Sequence, residues 1–105
     1  MSRILITSGP TRQYLDPVRY LTNASSGRMG CALAEAAVEF GHQVCIVSGP
    51  VAVTYPAAAE IVWVDTTSDM LREVLRLFPG MDGLIGAAAP CDYMPVHVSP
   101  QKIAK

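Results

Sequence analysis

Apolar positions along the chain fall into two rhythms, short unbroken runs and longer stretches spaced by three and four. Residues 3–7 (RILIT) form a β-branched run closed by Ser8-Gly9-Pro10, and residues 43–48 (QVCIVS) repeat the plan before Gly49-Pro50. Runs of this length that end in Gly-Pro punctuation predict buried strands closed by tight turns. Between them Met29, Leu33, Ala36, Ala37 and Phe40 share one face of an α-helix, and Gly41 stands where a C-terminal helix glycine belongs. Strand, helix and strand make a βαβ unit.

A third run, IVWV at 61–64, precedes Thr66-Thr67-Ser68-Asp69, a hydroxyl cap with an acid in the first turn. Met70, Leu71, Val74, Leu75 and Phe78 then follow at helical spacing up to Pro79, which predicts a second helix of about ten residues. The fourth run, GLIGAAA at 83–89, is apolar and small-sided, as suits a central strand approached closely by a helix or a ligand. Strands that are apolar throughout and alternate with helices predict a parallel sheet with right-handed crossovers, in the order 3-2-1-4. The expected fold is therefore a Rossmann-like, three-layer α/β domain of about four strands, one domain over residues 1–105. Residues 8–27 form a long loop of the kind that usually carries function. Residues 90–105, with prolines at 90, 95 and 100, resemble a flap or linker more than core.

Composition narrows the partners. Half of the 105 residues are hydrophobic, enough for a core, and the formal charge is -1 with no run of either sign. That leaves no basic footprint for nucleic acid and no polybasic membrane patch, so an anion must be held locally. Cys31, Cys45 and Cys91 are an odd, widely spaced set with no zinc-ligand pattern, which points to a reducing, cytoplasmic setting. Neither a signal peptide nor an apolar run of membrane-spanning length is present.

In open α/β sheets ligands lie beyond the carboxyl ends of the strands, here Ser8-Gly9-Pro10, Ser48-Gly49-Pro50, Thr66-Thr67 and Ala88 to Asp92. Within TNASSGRMG (22–30), Ser25, Ser26 and Gly27 precede the first helix. Their hydroxyls and amides would face an anion, with the helix dipole and Arg28 adding positive potential, and a phosphate is the matching guest. The same residues also fit an ordinary N-cap followed by a glycine that lets the helix pack closely on the sheet. Neither GxGxxG after the first strand nor GxxxxGK[ST] occurs, which argues against a nicotinamide dinucleotide site and a P-loop.

Asn23 offers both a donor and an acceptor, suited to a substrate amide or carbonyl, or to bracing its own loop. Asp92 could accept from a ligand amino group or from a strand-end amide; Lys102 is a mobile phosphate clamp or a solvated lysine. His42 and His97 stand apart from any partner at motif spacing and read as surface or capping residues. Cys45 reads as core, Cys31 as packed along its helix, and Cys91, beside Asp92, as the one thiol in a site position and still inert. Met29, Met70 and Met81 are core-filling candidates, and Trp63 reads as packed in its strand.

With these stretches in view, the chain resembles the phosphopantothenate-cysteine ligase (phosphopantothenoylcysteine synthetase) family, the ligase part of bacterial bifunctional coenzyme A biosynthesis flavoproteins. The resemblance rests on ILITSGPTRQYLDPVRYLTNASSGRMG at 4–30, VSGP at 47–50, GAAAPCDYMP at 86–95 and QKIAK at 101–105. It implies activation of the 4'-phosphopantothenate carboxylate by CTP (or ATP) with Mg2+, giving an acyl-nucleotide that the amine of cysteine attacks. By the same resemblance Gly9, Ser25, Gly27 and Gly30 hold the nucleotide phosphates, and Asn23 contacts phosphopantothenate and its activated intermediate. Gly86, Ala87, Ala88 and Asp92 form the nucleotide-binding strand end, and Lys102 is the catalytic flap lysine that closes on the intermediate. Such chemistry needs positioning and charge neutralisation rather than a side-chain nucleophile.

Two departures stand out: Ala88-Ala89-Pro90-Cys91-Asp92 where the family reads AAVAD, and Arg28 in place of a lysine. Family ligases continue for roughly another hundred residues beyond the matched stretch, so the resemblance places this chain in the amino-terminal portion of the ligase, as a homodimer or in assembly with a complementary chain. The competing expectation is a noncatalytic nucleotide-binding or assembly module derived from the same family.

Overall fold

The amino-terminal run becomes an interior strand, β1 (Arg3–Ser8), in a computed structural model that describes residues 2–22 and 25–90. After β1 come β2 (Arg12–Tyr14), β3 (Tyr20–Thr22), α1 (Arg28–Glu39), β4 (Gln43–Ser48), β5 (Glu60–Trp63), α2 (Thr67–Leu77), a 3₁₀ turn at Phe78–Gly80 and β6 (Gly83–Gly86). The main sheet runs β5-β4-β1-β6 with every pairing parallel. Counted among the parallel strands alone, that is the expected 3-2-1-4 order, and the architecture is a Rossmann-like α/β fold.

Strand alternation sorts the core into two layers. Ile4, Ile6, Val44 and Ile46 point to the α1 side, where Ala34 and Tyr55 complete a buried cluster. Leu5, Cys45 and Val47 point to the α2 side and pack with Met70. Leu5, Ile6, Ile46 and Val47 are among the largest fully buried side chains, each contributing about 1.5–3 kcal/mol by its burial.

The helices seat themselves on strips narrower than their apolar stripes. On α1 the sheet-facing positions are Gly30, Ala34 and Ala37, flanked by Cys31, Leu33 and Val38. Met29 (66% exposed) and Phe40 (81% exposed) turn to solvent, against the expectation that both are core. The physical reason is the close approach that glycine and alanine permit, which rotates the helix toward its smallest residues. On α2 the strip is Met70, Val74 and Leu77, which leaves Leu71, Leu75 and Phe78 exposed. Both helix ends follow the sequence signals. Gly41 (φ +86°) closes α1, with its N–H on the Val38 carbonyl and that of His42 on the Ala37 carbonyl, each at 3.0 Å. Thr66 and Asp69 form a reciprocal capping box on α2.

Part of the long loop after β1 is ordered as a hairpin, which its short and polar sequence did not announce. β2 and β3 pair antiparallel, and Asp16 closes the turn by accepting the N–H groups of Val18 and Arg19 at 2.8 Å each. A lone two-stranded hairpin is marginal in water, so its ties to the connection between β5 and α2 matter. The Arg12 N–H donates to the Asp65 carbonyl at 2.7 Å, the Tyr14 hydroxyl to Asp65 Oδ2 at 2.6 Å, and the Thr11 and Thr67 hydroxyls lie 2.6 Å apart.

Candidate functional site

Hydrogen bonds that continue past the ends of β1, β4 and β6 gather the ends of these strands. Ala87 N–H donates to Thr7 O and Ala89 N–H to Gly9 O, each at 2.9 Å, while Gly49 N–H donates to Ser8 O at 3.0 Å. Gly9, Gly86, Ala87 and Ala88 are thereby brought to one end of the sheet, the end from which α1 departs. The two Ser-Gly-Pro turns are in direct contact: a Cβ on Gly49 would fall on the Pro10 carbonyl.

The glycines assigned to phosphate have structural roles of their own. Gly9 (φ +76°) and Gly27 (φ +80°) occupy the left-handed region that side chains avoid. A Cβ on either would meet Val51 Cγ1, at 2.7 and 2.8 Å respectively, and one on Gly30 would fall on Ser8 Oγ and Cβ. All three are buried, so the protein's own packing accounts for the absence of side chains there. Among the described residues at this corner Ser26, Arg28 and Met29 are exposed and Ser25 is half-buried.

The two helices start differently. Thr66 Oγ1 accepts the Asp69 N–H at 3.0 Å and Asp69 Oδ2 accepts the Thr66 N–H at 3.3 Å. Burial works to raise the Asp69 carboxyl, yet the Thr66 hydrogen bonds and the Arg72 guanidinium outweigh it and hold the group below the ordinary aspartate range. By contrast α1 begins at Gly27 with no side-chain cap and no acid in its first turn. Ser26 Oγ, just before Gly27, accepts the Arg28 N–H at a long 3.4 Å. An uncapped helix start beside an arginine is chemically suited to an anion. The N-cap position falls on Gly27 rather than on a serine, and the glycine that lets the helix pack closely on the sheet is Gly30.

Beneath this start lies a set of hydroxyls. Ser48 Oγ sits 2.7 Å from the Tyr55 hydroxyl, which donates to Ser8 Oγ at 2.8 Å, and Ser8 Oγ reaches the Gly27 carbonyl at 3.5 Å. Tyr55, alone in an irregular loop, gave no periodic or motif signal. Asp65 was equally silent. It accepts from Tyr14, which raises the Tyr14 phenol, and its Oδ1 lies 3.6 Å from Arg12 Nη1 without a hydrogen-bond donor. Arg12 in turn stacks 4.6 Å from the Tyr20 ring.

Other expectations resolve individually. Burial raises both the Cys31 and Cys45 thiols, in keeping with inert cysteines. His42 accepts the Ser2 N–H at 3.2 Å. Trp63 is 56% exposed, its ring 6.0 Å from that of Tyr55, so it is not packed inside the sheet layer as expected; β5 is an edge strand. Asn23, Cys91, Asp92, His97 and Lys102, and the flap as a whole beyond residue 90, lie outside the described residues. Among the described residues no helix is long and apolar enough to cross a membrane, and no cluster of three or more His, Cys, Asp or Glu is placed to hold a metal ion.

Comparison with known proteins follows the same outline. The family model of the DNA/pantothenate metabolism flavoprotein C-terminal domain matches residues 1–105. The coenzyme A biosynthesis bifunctional protein CoaBC of Vibrio vulnificus is 46% identical over 102 residues, covering 97% of this chain and 25% of that protein. A crystal structure of the C-terminal domain of CoaBC superposes with a TM-score of 0.87 at 48% identity, covering 92% of this chain and 49% of that one. The DNA/pantothenate metabolism flavoprotein from Streptococcus pneumoniae gives a TM-score of 0.85 at 32% identity, over 91% and 43% of the two chains. The chain thus spans about a quarter of the length of the curated relative and about half of the solved domain.

Proposed function

The chain belongs to the DNA/pantothenate metabolism flavoprotein C-terminal domain family, and we propose that it forms the nucleotide- and substrate-facing part of a phosphopantothenate-cysteine ligase in coenzyme A biosynthesis. The match of the family model along the whole chain carries this reading. Within the C-terminal domain of such a bifunctional protein, we place the chain in the amino-terminal portion.

In the proposed reaction a carboxylate oxygen of 4'-phosphopantothenate attacks the α-phosphorus of CTP and pyrophosphate leaves. The cysteine amine then attacks the acyl carbon of the acyl-cytidylate, an amide bond forms and CMP departs. The open start of α1 and Arg28 are suited to the negative charge of the triphosphate, the peptide groups of the Gly9 and Gly27 turns giving it a rigid rim. Mg2+ would arrive with the triphosphate and offset part of its negative charge. Asn23 is assigned to the phosphopantothenate side, Asp92 to the nucleotide and Lys102 to closure on the intermediate. Assembly with a second chain, as a homodimer or with a complementary chain, is part of the proposal; the exposed Leu71 and Leu75 on α2 and Phe78 just after it offer it an apolar surface.

Isothermal titration of the chain with Mg·CTP and with 4'-phosphopantothenate tests the reading. Saturable heat at submillimolar to millimolar ligand is expected, and no heat from either ligand would overturn it. Pyrophosphate release measured on the same samples separates a competent ligase from a module that binds nucleotide without turnover.

A further inference from the structure

The hydroxyl set beneath α1 has a direction. Each hydroxyl owns one proton, and a head-to-tail order from Ser48 to Tyr55, from Tyr55 to Ser8 and from Ser8 to the Gly27 carbonyl uses each proton once. The separations are 2.7, 2.8 and 3.5 Å; the Ser48 proton has a second destination in the Gly49 carbonyl at 2.7 Å. Ser8 and Ser48 are fully buried and Tyr55 nearly so, so these groups depend on one another for partners.

The end point of the chain is what gives it consequence. The Gly27 carbonyl and the Arg28 N–H belong to one planar peptide unit and point in opposite directions. The carbonyl points inward, accepting the Cys31 N–H at 2.9 Å with Ser8 Oγ at 3.5 Å; the Arg28 N–H then faces outward, where it meets the exposed Ser26 Oγ at 3.4 Å. A Cβ on Gly27 would come within 3.3 Å of the Tyr55 hydroxyl, which places the phenol directly under this turn.

We infer that Tyr55 is a positioning residue for the nucleotide phosphates, its hydroxyl acting through Ser8 to orient the Gly27–Arg28 peptide toward the ligand. The inference rests on the nucleotide reading above. It gives the loop between β4 and β5 a role that the matched motifs do not assign.

Tyr55→Phe keeps the ring and its approach to Trp63 and removes only the hydroxyl. In the 105-residue chain, titration with Mg·CTP should show affinity reduced about tenfold, the scale of one hydrogen bond to a charged ligand. The Arg28 amide resonance of the nucleotide-free variant should shift in a nitrogen-proton correlation spectrum. Ser8→Ala breaks the same link from the other side and carries the test should Tyr55→Phe not fold. The double variant should lose no more than either single one, because the two act in series. A folded Tyr55→Phe chain with unaltered affinity and an unmoved Arg28 amide would overturn the inference, even with a lowered melting temperature. If instead the wild-type chain binds no Mg·CTP, the functional reading fails, while the Arg28 amide alone still decides whether Tyr55 orients this peptide.

Discussion

Gly30→Ala adds one methyl group in the first turn of α1, a change that in an ordinary helix position stabilises by roughly 0.5–1 kcal/mol. Here the opposite sign is expected. The new Cβ would fall on Ser8 Oγ and Cβ, with Ser8 Cα 3.3 Å away, and Ser8 is fully buried on the strand beneath. Rotating the Ser8 hydroxyl leaves the Cβ collision in place, so the helix must lift or the strand end must bend. Overpacking of this kind costs about 1–3 kcal/mol. Displacing Ser8 Oγ from the Tyr55 hydroxyl at 2.8 Å adds about 1–3 kcal/mol for buried hydroxyls left short of a partner. Set against the helix-propensity gain, the net loss is about 3 kcal/mol, or roughly 15 °C in melting temperature for a domain of this size. Urea unfolding followed by far-ultraviolet circular dichroism gives the check, as a lower midpoint at an unchanged slope. Ser8→Gly in the Gly30→Ala background removes both colliding atoms and should recover a large part of the loss. A Gly30→Ala midpoint at or above that of wild type would refute the reasoning, since it would mean that α1 does not rest on Ser8.

The other predictions are briefer. Gly27→Ala should cost about 2 kcal/mol, from its left-handed backbone and the nearby Val51 methyl, whereas Gly41→Ala, with open space around it, should cost about 1 kcal/mol; the order of their urea midpoints is the check. Thr66→Ala removes the α2 cap and should lower stability by about 1 kcal/mol, measured by the same unfolding. Because the Asp69 carboxyl is held below its ordinary range in the fold, its contribution is present above the unfolded value and disappears as pH falls through the folded one. Asp69→Asn should therefore flatten the loss of stability in acid, and an unchanged acid profile would contradict the assignment. Asn23→Ala should weaken phosphopantothenate binding while leaving Mg·CTP affinity largely unchanged in titration, and an equal loss of both would contradict that division.

The strands and their order were legible because parallel strands buried on both faces must be apolar throughout, and because Gly-Pro turns punctuate them. The helix boundaries were legible for a related reason, since Thr66, Asp69 and Gly41 act locally on their own backbone. Which face of α1 turns inward was not, since periodicity weighs Met29 and Phe40 above Gly30, whereas the packed distance to β1 favours the residue with no side chain. The hairpin β2–β3 escaped notice because its strands are three residues each and its stability comes from Asp65 and Thr67, far along the chain. At the candidate site, TNASSGRMG drew attention to the start of α1, but the N-cap position there is Gly27 rather than a serine. Tyr55 carries no local signal at all; its significance lies in meeting Ser8 and Ser48, each at the end of a different strand.

A single branched side chain also links parts of the molecule that are distant in sequence. Val51 Cγ1 lies under both left-handed turns, at Gly9 and at Gly27, and so acts as their shared floor. Any enlargement or loss at that floor would tilt the two rims together rather than one at a time, so the geometry of the mouth is answerable to a stretch of chain that itself need touch no guest.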